Sequence, residues 1–175
     1  TRRQRQMCIR DRNKFEKFFI CIKFMDDRVS AFIFNNQFVY ITGENMFSHV
    51  MVGTNNIEES RIFYDRIFEV LGGGPGKLYP NLTGQKRYFY NLDGTSFCIT
   101  EPIDGQPATV SNGATVGFNI ENIEQGDAWH KAGIENGGTS IEEQPGIRDY
   151  GKFKMYLAYL RDPTGNKLCA GLLIK

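Results

Sequence analysis

Two histidines and four cysteines are the side chains of this sequence with the widest chemical range, because imidazole and thiolate act as bases, nucleophiles and metal ligands. They are His49, His130, Cys8, Cys21, Cys98 and Cys169. No Cys-x-x-Cys pair occurs and two of the cysteines lie in the first 45 residues, so the sequence predicts free thiols in a reducing cytoplasm. The P-loop, GxGxxG, GxSxG and HExxH motifs are absent, which argues against the chemistry that each of them supports.

A repeat along the chain relates these residues to one another. Residues 47–73 have the pattern of a strand, a turn and a helix, and residues 114–138 have the same pattern. The triplet Asn-Ile-Glu begins at position 56 in the first copy and at position 122 in the second, an offset of 66 residues. At this offset His49 falls on Thr115. One structural module is therefore expected to occur twice.

Length and composition predict one globular domain preceded by an unusual segment. The chain has 175 residues and a net charge of +1, so no strong field favours nucleic acid or an anionic membrane as a partner. Residues 1–45 carry nine Lys/Arg and five Asp/Glu, whereas residues 46–175 carry twelve and fifteen. No apolar run reaches the roughly 18–20 residues that span a bilayer. We expect one domain over residues 46–175.

The first twelve residues, TRRQRQMCIRDR, look like the translated sequencing-adapter reads of metagenomic assemblies, and the stretch after them looks like translated AT-rich DNA. A signal peptide would need a longer apolar region, and a transit peptide would have fewer acidic residues. We predict that residues 1–45 are a non-native or disordered extension and that the domain starts at Met46. The alternative is a genuine hairpin, because residues 31–34 and 37–41 have β-type composition.

Each half of the domain is predicted to contain a strand, a helix and three further strands. Asn56 and Asn122 are suited to cap the two helices, and Glu59 and Gln125 stand three residues on, where they would close capping boxes. Each half ends in a hairpin with a typical turn composition. The Pro- and Gly-containing connector between the halves divides the domain into modules of residues 46–110 and 111–175.

Three landmarks resemble the vicinal oxygen chelate superfamily, which includes glyoxalase I, extradiol dioxygenases, and fosfomycin- and bleomycin-resistance proteins. They are SHV at position 48, Phe63-Tyr64 in the first helix, and RDPTGN at position 161. The resemblance covers about residues 47–173. It implies an α+β fold in which two βαβββ modules form a curled mixed-sheet cup, and it implies a homodimer that binds a small molecule in that cup.

The resemblance also implies where a metal ion would lie. The metal enzymes of this superfamily use a histidine on the first strand of each half and a carboxylate or histidine on each last strand. The corresponding residues here are His49, Cys98, Thr115 and Cys169. One imidazole without a carboxylate is a poor ligand set for a hard divalent ion, and Glu101 should point to the opposite sheet face from Cys98. We therefore do not expect the usual set of four metal ligands. A divalent ion bound through His49 remains an alternative.

The two strand cysteines and the first-strand histidine have competing interpretations. Cys98 and Cys169 are either small apolar core residues, part of a soft Zn²⁺ site with His49, or thiols of which one is a nucleophile paired with His49. His49 itself either contacts a ligand in the cup or is a core histidine that hydrogen-bonds the backbone.

Aromatic residues and one arginine complete the candidate lining of the cup. Of the strand tyrosines at positions 88, 90, 156 and 159, half are expected to face the cup and half the helices. Tyr159 is retained as a cup candidate, and Arg148 could close over an anionic ligand or be a solvated loop residue. His130, beside Trp129 on the second helix, is expected at the surface or in packing.

These observations lead to three functional hypotheses. The first is a glyoxalase-like protein that binds a small molecule without the usual divalent-metal quartet. The second is a metal-dependent lyase or transferase, similar to lactoylglutathione lyase, or a dioxygenase, with rearranged ligands around His49. The third is a sequestering protein of the bleomycin-resistance type. If the protein is an enzyme, the resemblance implies a lyase.

Overall fold

The structure is a computed structural model that describes residues 21–23, 29–34, 37–42 and 47–174. The chain divides into two compact units, Thr1–Met46 and Phe47–Lys175. The first unit contains three antiparallel strands, β1 (Cys21–Lys23), β2 (Val29–Phe34) and β3 (Gln37–Thr42). The pairing of β2 with β3 is the hairpin that the composition of this segment suggests. The origin of residues 1–45 stays a prediction.

The first module of the second unit is a four-stranded mixed sheet with one helix. Its elements are β4 (His49–Gly53), α1 (Ile57–Val70), β5 (Lys77–Leu78), β6 (Arg87–Leu92) and β7 (Thr95–Thr100). The strand order is β4-β7-β6-β5. The first and last strands, β4 and β7, pair in parallel, while the other neighbours are antiparallel.

The second module repeats this order with one additional short strand. Its elements are β8 (Val116–Asn119), α2 (Ile123–Glu135), β9 (Thr139–Ser140), β10 (Gly146–Asp149), β11 (Lys154–Arg161) and β12 (Lys167–Ile174). The sheet runs β10-β11-β12-β8, with β9 beside β11, and β8 is parallel to β12. The two modules therefore form open, curled mixed sheets in an α+β fold.

Both helices begin at the asparagines that the sequence indicates. The Oδ1 atom of Asn56 accepts the amide of Glu59 at 3.2 Å, and that of Asn122 accepts the amide of Gln125 at 2.8 Å. The first capping box is not closed as expected, because the amide of Asn56 donates to Thr54 Oγ1 instead of to Glu59. The buried Thr54 hydroxyl is nearer to the backbone than a long exposed carboxylate, which explains the difference. None of the described helices has the length and apolar character needed to cross a bilayer.

One hydrophobic core joins the helices to one face of each sheet. Phe68 of α1 contacts Phe97 of the first sheet and Phe118 of the second, with ring centroids 5.8 and 5.5 Å apart. In α2, Gly126 and Gly133 lie so close to Tyr156 and Leu160 that a Cβ atom at either position would overlap the opposing side chain. Two glycines are therefore tolerated inside a helix, where each costs about 1 kcal/mol relative to alanine, because they allow α2 to approach β11.

Three of the four strand tyrosines face the helices, so the expected equal division between the two faces is wrong. The hydroxyl of Tyr90 donates to Asp65 at 3.0 Å and that of Tyr156 donates to Asp127 at 2.6 Å. Tyr88 likewise reaches a helix carboxylate, Glu58. Tyr88 and Tyr90 are two residues apart on one strand and must share a face. Only Tyr159 points away from the helices.

A buried carboxylate in the turn between β11 and β12 connects the two modules. Oδ1 of Asp162 accepts the backbone amides of Thr164, Gly165 and Asn166 at 2.8 to 2.9 Å. Its Oδ2 atom accepts the hydroxyl of Tyr64 in α1 at 2.8 Å. Two of the sequence landmarks, Phe63-Tyr64 and RDPTGN, therefore meet as structural parts of the module junction. Burial raises the pKa of Tyr64 well above its ordinary value, so its hydroxyl remains a neutral donor.

Candidate functional site

The sheet faces that point away from the helices carry all six candidate site residues. Val50, Val52, Phe97 and Ile99 pack on the core, so alternation places His49, Met51 and Cys98 on the other face of the first sheet. The register supports this assignment, because Met51 lies directly beside Cys98 and His49 lies beside Ser96. We call this the cup face of the first sheet.

The cup face of the second sheet follows from the same alternation. Tyr159 and Cys169 are directly opposite each other on β11 and β12, and Arg148 on β10 is opposite Met155 on β11. Thr115 directly precedes β8, whose Gly117 is paired with Cys169. Thus Thr115, Arg148, Tyr159 and Cys169 all belong to one sheet, and His49 and Cys98 belong to the other.

His49 is an exposed residue and not a core histidine. Its Nδ1 atom is 3.0 Å from the hydroxyl of the neighbouring Ser48. Nε2 makes no protein hydrogen bond among the described residues. The imidazole is therefore accessible to a ligand on the cup face.

Cys98 is fully buried and does not form a catalytic pair with His49. Its register partner on β4 is Met51, two residues beyond His49, which displaces it along the strand by roughly 7 Å. The thiol contacts the carbonyl of Ile99 at 3.4 Å. Burial raises the pKa of Cys98 to about 11, so the thiol is protonated at neutral pH. Of its three interpretations, the small apolar residue describes Cys98 best.

Cys169 has a more polar environment, although burial also raises the pKa of its thiol. Tyr159, opposite it on β11, has a pKa raised to about 12 by burial and by the nearby Cys169. The ammonium of Lys167 lies 4.8 Å from the centre of the Tyr159 ring and pairs with Glu142. The Tyr159 hydroxyl is thus a neutral hydrogen-bonding group next to a buried thiol and a cation.

Arg148 lies on β10 and is held by the loop that precedes this strand. Its Nε atom pairs with Glu143 at 3.0 Å, and its NH2 group donates to the carbonyl of Gln144 at 2.7 Å. Its side chain is 22% exposed. An anionic ligand would have to compete with Glu143 for the Arg148 guanidinium. Arg148 is therefore a half-buried, paired side chain, which is neither the solvated loop residue nor the free anion-binding residue that the sequence suggested.

The residues at the four superfamily metal positions do not fit a divalent ion. In residues 47–174 no three His, Cys, Asp or Glu side chains come together in an arrangement that could hold a metal. Glu101, the nearest carboxylate in sequence, accepts the amide of Lys86 at 2.7 Å. Glu101 follows the far end of β7 and is separated from His49 by roughly 16 Å along the strand direction, because His49 pairs with Ser96 near the start of β7. The groups at the four metal positions are therefore an exposed imidazole, a threonine hydroxyl and two buried thiols that lie in different sheets.

Sequence reasoning missed the apolar part of the cup face. Met51 is 39% exposed beside Cys98, and Phe89 lies opposite Cys98 on β6. The ring of Phe89 contacts Tyr79 edge-on at 5.7 Å, and the Arg87 guanidinium lies over it at 5.8 Å. Alternation along RYFYNL could have revealed Phe89, because Tyr88 and Tyr90 on either side of it face the helix.

His130 has a packing role, as the sequence indicates. Its Nε2 atom is 3.0 Å from the hydroxyl of Ser140 on β9. Burial lowers the pKa of His130. This histidine lies on the helix side of the second sheet and is not part of the cup faces.

Two βαβββ modules, each with a parallel pair of first and last strands and a cup face opposite its helix, define the glyoxalase/bleomycin-resistance fold. No protein-family model matches the chain, and no curated protein matches it significantly. Among solved structures, a glyoxalase/bleomycin resistance protein from Albidiferax ferrireducens T118 is 56% identical, with a TM-score of 0.66. That match covers 73% of this chain and 98% of that chain. The chain therefore belongs to the glyoxalase/bleomycin resistance protein family of the vicinal oxygen chelate superfamily.

More distant structures share the fold. A glyoxalase/bleomycin resistance protein/dioxygenase family enzyme from Burkholderia phytofirmans PsJN is 16% identical, covers 73% of this chain and 98% of that chain, and has a TM-score of 0.54. A lactoylglutathione lyase from Agrobacterium tumefaciens is 15% identical, covers 73% and 92%, and has a TM-score of 0.50. At these identities the likeness concerns architecture and not activity.

Proposed function

We propose that this protein binds a small molecule against its cup faces and does so without a divalent ion at the four superfamily metal positions. The observation that carries this proposal is the set of residues at those positions. His49 is exposed, Thr115 is a weak ligand, and Cys98 and Cys169 are buried in different sheets. A metal-dependent lyase or dioxygenase needs several ligands that converge on one ion.

The chemistry of the cup faces favours a flat, largely apolar and uncharged ligand. Met51, Phe89 and Tyr159 offer sulfur and aromatic surface, which suits dispersion contacts with a planar molecule. The imidazole of His49 and the hydroxyl of Tyr159 are the polar groups that could orient it. Arg148 and Lys167 are already paired with Glu143 and Glu142. The Arg87 guanidinium donates to the carbonyls of Tyr79 and Pro80. A strongly anionic ligand would have to displace these contacts and is therefore disfavoured.

The functional protein is proposed to be a homodimer. Among the described strands of residues 47–174, the strands at the ends of the two sheets, β4, β5, β8 and β10, are each paired on one side only. Unpaired strand edges are usually covered, and a second copy is the partner that a two-fold symmetric assembly provides. Equilibrium sedimentation that gives the mass of a monomer would refute this part of the proposal. The cytoplasmic location stays a prediction from the cysteine pattern.

The ligand class can be tested with a library of neutral aromatic compounds and a matched set of their carboxylates, in buffer containing a metal chelator. We expect neutral compounds to raise the melting temperature, because a ligand that binds only the folded state stabilises it by about 2.7 kcal/mol at a concentration of 100 times Kd. Tyr159→Ala and Met51→Ala should weaken the effect.

The matched control is Ile62→Ala, which removes an exposed apolar side chain from α1, on the side of the first sheet opposite its cup face. It should leave the effect of the neutral compounds in place. Stabilisation that appears only after a divalent ion is added, or only with the carboxylates, would contradict the proposal. The former result would favour the metal-dependent alternative.

A further inference from the structure

The connector between the two modules contains an exposed Asn-Gly pair, and we propose that Asn112 is a site of spontaneous deamidation in the folded protein. Asn-Gly pairs occur twice in the sequence, at positions 112–113 and 136–137. The structure places them in different environments. This difference assigns the modification to Asn112 and protects Asn136, and the inference is independent of what the cup binds.

The chemistry requires only the chain and water. The backbone nitrogen of Gly113 attacks Cγ of Asn112, an N–C bond forms, and the side-chain nitrogen leaves as ammonia after proton transfer. The resulting five-membered succinimide is hydrolysed by one water molecule to aspartate or isoaspartate. The net change replaces an NH2 group by OH, with no oxidation or reduction. The attacking amide must lose its proton, so the rate rises with hydroxide concentration.

The local geometry leaves the Gly113 amide free to react. Asn112 and Gly113 are the central residues of a turn closed by the amide of Ala114 and the carbonyl of Ser111, at 3.2 Å. Gly113 has a φ of +88°, and apart from its two chain neighbours no residue of the described part of the chain has an atom within 4 Å of where its Cβ would be. Both central residues are exposed. Neither the Asn112 side chain nor the Gly113 amide makes a hydrogen bond within residues 47–174, so neither reacting group has to leave a hydrogen-bond partner before the two approach.

The second Asn-Gly pair is held in place. Asn136 follows the last residue of α2, and its Nδ2 atom donates to the carbonyl of Ala132 at 2.8 Å. Its backbone amide donates to Gly133, and its side chain is half-buried. Before Gly137 can attack, the Asn136 side chain must leave its hydrogen bond and the end of the helix must unwind. Asn136 is therefore an internal control with the same chemistry and a different environment.

Only a short part of the connector around Asn112 lies between fixed points of the structure, so the effects of the modification are local. Upstream, the Asn55 side chain holds both backbone groups of Ala108, accepting its amide at 2.7 Å and donating to its carbonyl at 3.1 Å. Downstream, β8 begins at Val116. Deamidation thus places a new negative charge, and in isoaspartate an extra backbone methylene, three residues before Thr115 at the margin of the second cup face.

The experiment incubates the full chain at mildly alkaline pH and body temperature, and follows both sites by peptide mass spectrometry in ¹⁸O-labelled water. Trypsin separates them, because Asn112 lies in the peptide 88–131 and Asn136 in 132–148. We expect label to enter residue 112 at least about tenfold faster than residue 136, a factor that corresponds to the net strength of about one hydrogen bond. Isoaspartate should be detected at residue 112.

Two controls make the outcome specific. In denaturant the two sites should react at similar rates, because both are then unstructured Asn-Gly pairs. Asn112→Gln should abolish the deamidated product of its peptide, which is recognised by replacement of one amide NH2 by ¹⁸OH, while leaving that at residue 136 unchanged. Equal rates at the two sites in the folded chain, faster reaction at Asn136, or no labelled product at Asn112 would each overturn the proposal.

Discussion

At the scale of single residues, burial decides the chemistry of the two cup-face thiols. Cys98 and Cys169 lie on the last strands of the two modules, at positions where the superfamily's metal enzymes carry a carboxylate or a histidine. Their pKa values are raised, that of Cys98 to about 11. A protonated buried thiol is a poor nucleophile and a poor metal ligand. The identity of these positions could be predicted from sequence, but their protonation depends on neighbours brought together by folding.

Cys98 should therefore be slow to alkylate. With a pKa of about 11 instead of about 9, its thiolate fraction at neutral pH is about a hundredfold lower, and burial slows the reagent further. We expect native Cys98 to react with iodoacetamide at least about a hundredfold more slowly than in denaturant. The Cys8→Ser/Cys21→Ser/Cys169→Ser variant leaves Cys98 as the single thiol of the chain. Rapid labelling of Cys98 in the native state would contradict this prediction and would support the interpretation of Cys98 as an activated nucleophile.

The same thiol makes stability depend on alkaline pH. The folded-state pKa of Cys98 is raised above the unfolded value, so the folded chain binds more protons than the unfolded chain between about pH 9 and 11. Its contribution to stability is fully present below about pH 9 and is lost as the pH rises through 11. Denaturant unfolding of Cys98→Ala against the parent chain should show a smaller loss of stability over this range. An identical pH dependence of the two chains would show that Cys98 is not the cause.

At the scale of secondary-structure elements, local patterns were predictable and long-range partners were not. The helix starts at Asn56 and Asn122 follow from cap chemistry that operates within four residues. The bond between Tyr64 and Asp162 joins residues 98 positions apart, and no local pattern indicates it. The hydrogen bond that Glu101 accepts from the Lys86 amide is another contact that no local pattern indicates, because it depends on the pairing of β6 with β7. The sequence identified both landmarks of the junction, Phe63-Tyr64 and RDPTGN, but could not show that they are in contact.

The hydrogen bond between Tyr64 and Asp162 at the module junction should contribute strongly to stability. Tyr64→Phe removes a hydroxyl that donates to the buried Asp162 carboxylate, and hydrogen bonds to charged groups contribute about 1.5–3 kcal/mol. We expect the free energy of unfolding to fall by about that amount, measured in guanidinium. The control Tyr79→Phe removes an exposed hydroxyl and should change stability little. A Tyr64→Phe variant as stable as the parent would show that Asp162 is satisfied by the turn amides and Asn166 alone.

At the scale of the whole molecule, one core unites two modules, and each sheet keeps a second face, the cup face, whose side chains are not part of this core. The aromatic contacts of Phe68 with both sheets and the Tyr64–Asp162 bond explain why residues 47–174 form one compact unit. The architecture was predictable because the same pattern of strand and helix occurs twice. The apolar character of the cup faces was predictable only in part. Alternation along β6 separates Phe89 from Tyr88 and Tyr90, but which of the two sets meets the helix depends on tertiary packing.

The central claim concerns the donor set on these faces, and metal binding by the purified full chain tests it most directly. The measurement is elemental analysis after dialysis, with and without prior exposure to Zn²⁺, Ni²⁺, Mn²⁺ or Fe²⁺. It is repeated for His49→Ala and for the control His130→Ala, whose imidazole lies between α2 and β9. We expect far less than one metal ion per chain in all three proteins. One equivalent that persists in the parent and in His130→Ala but is lost in His49→Ala would contradict the account.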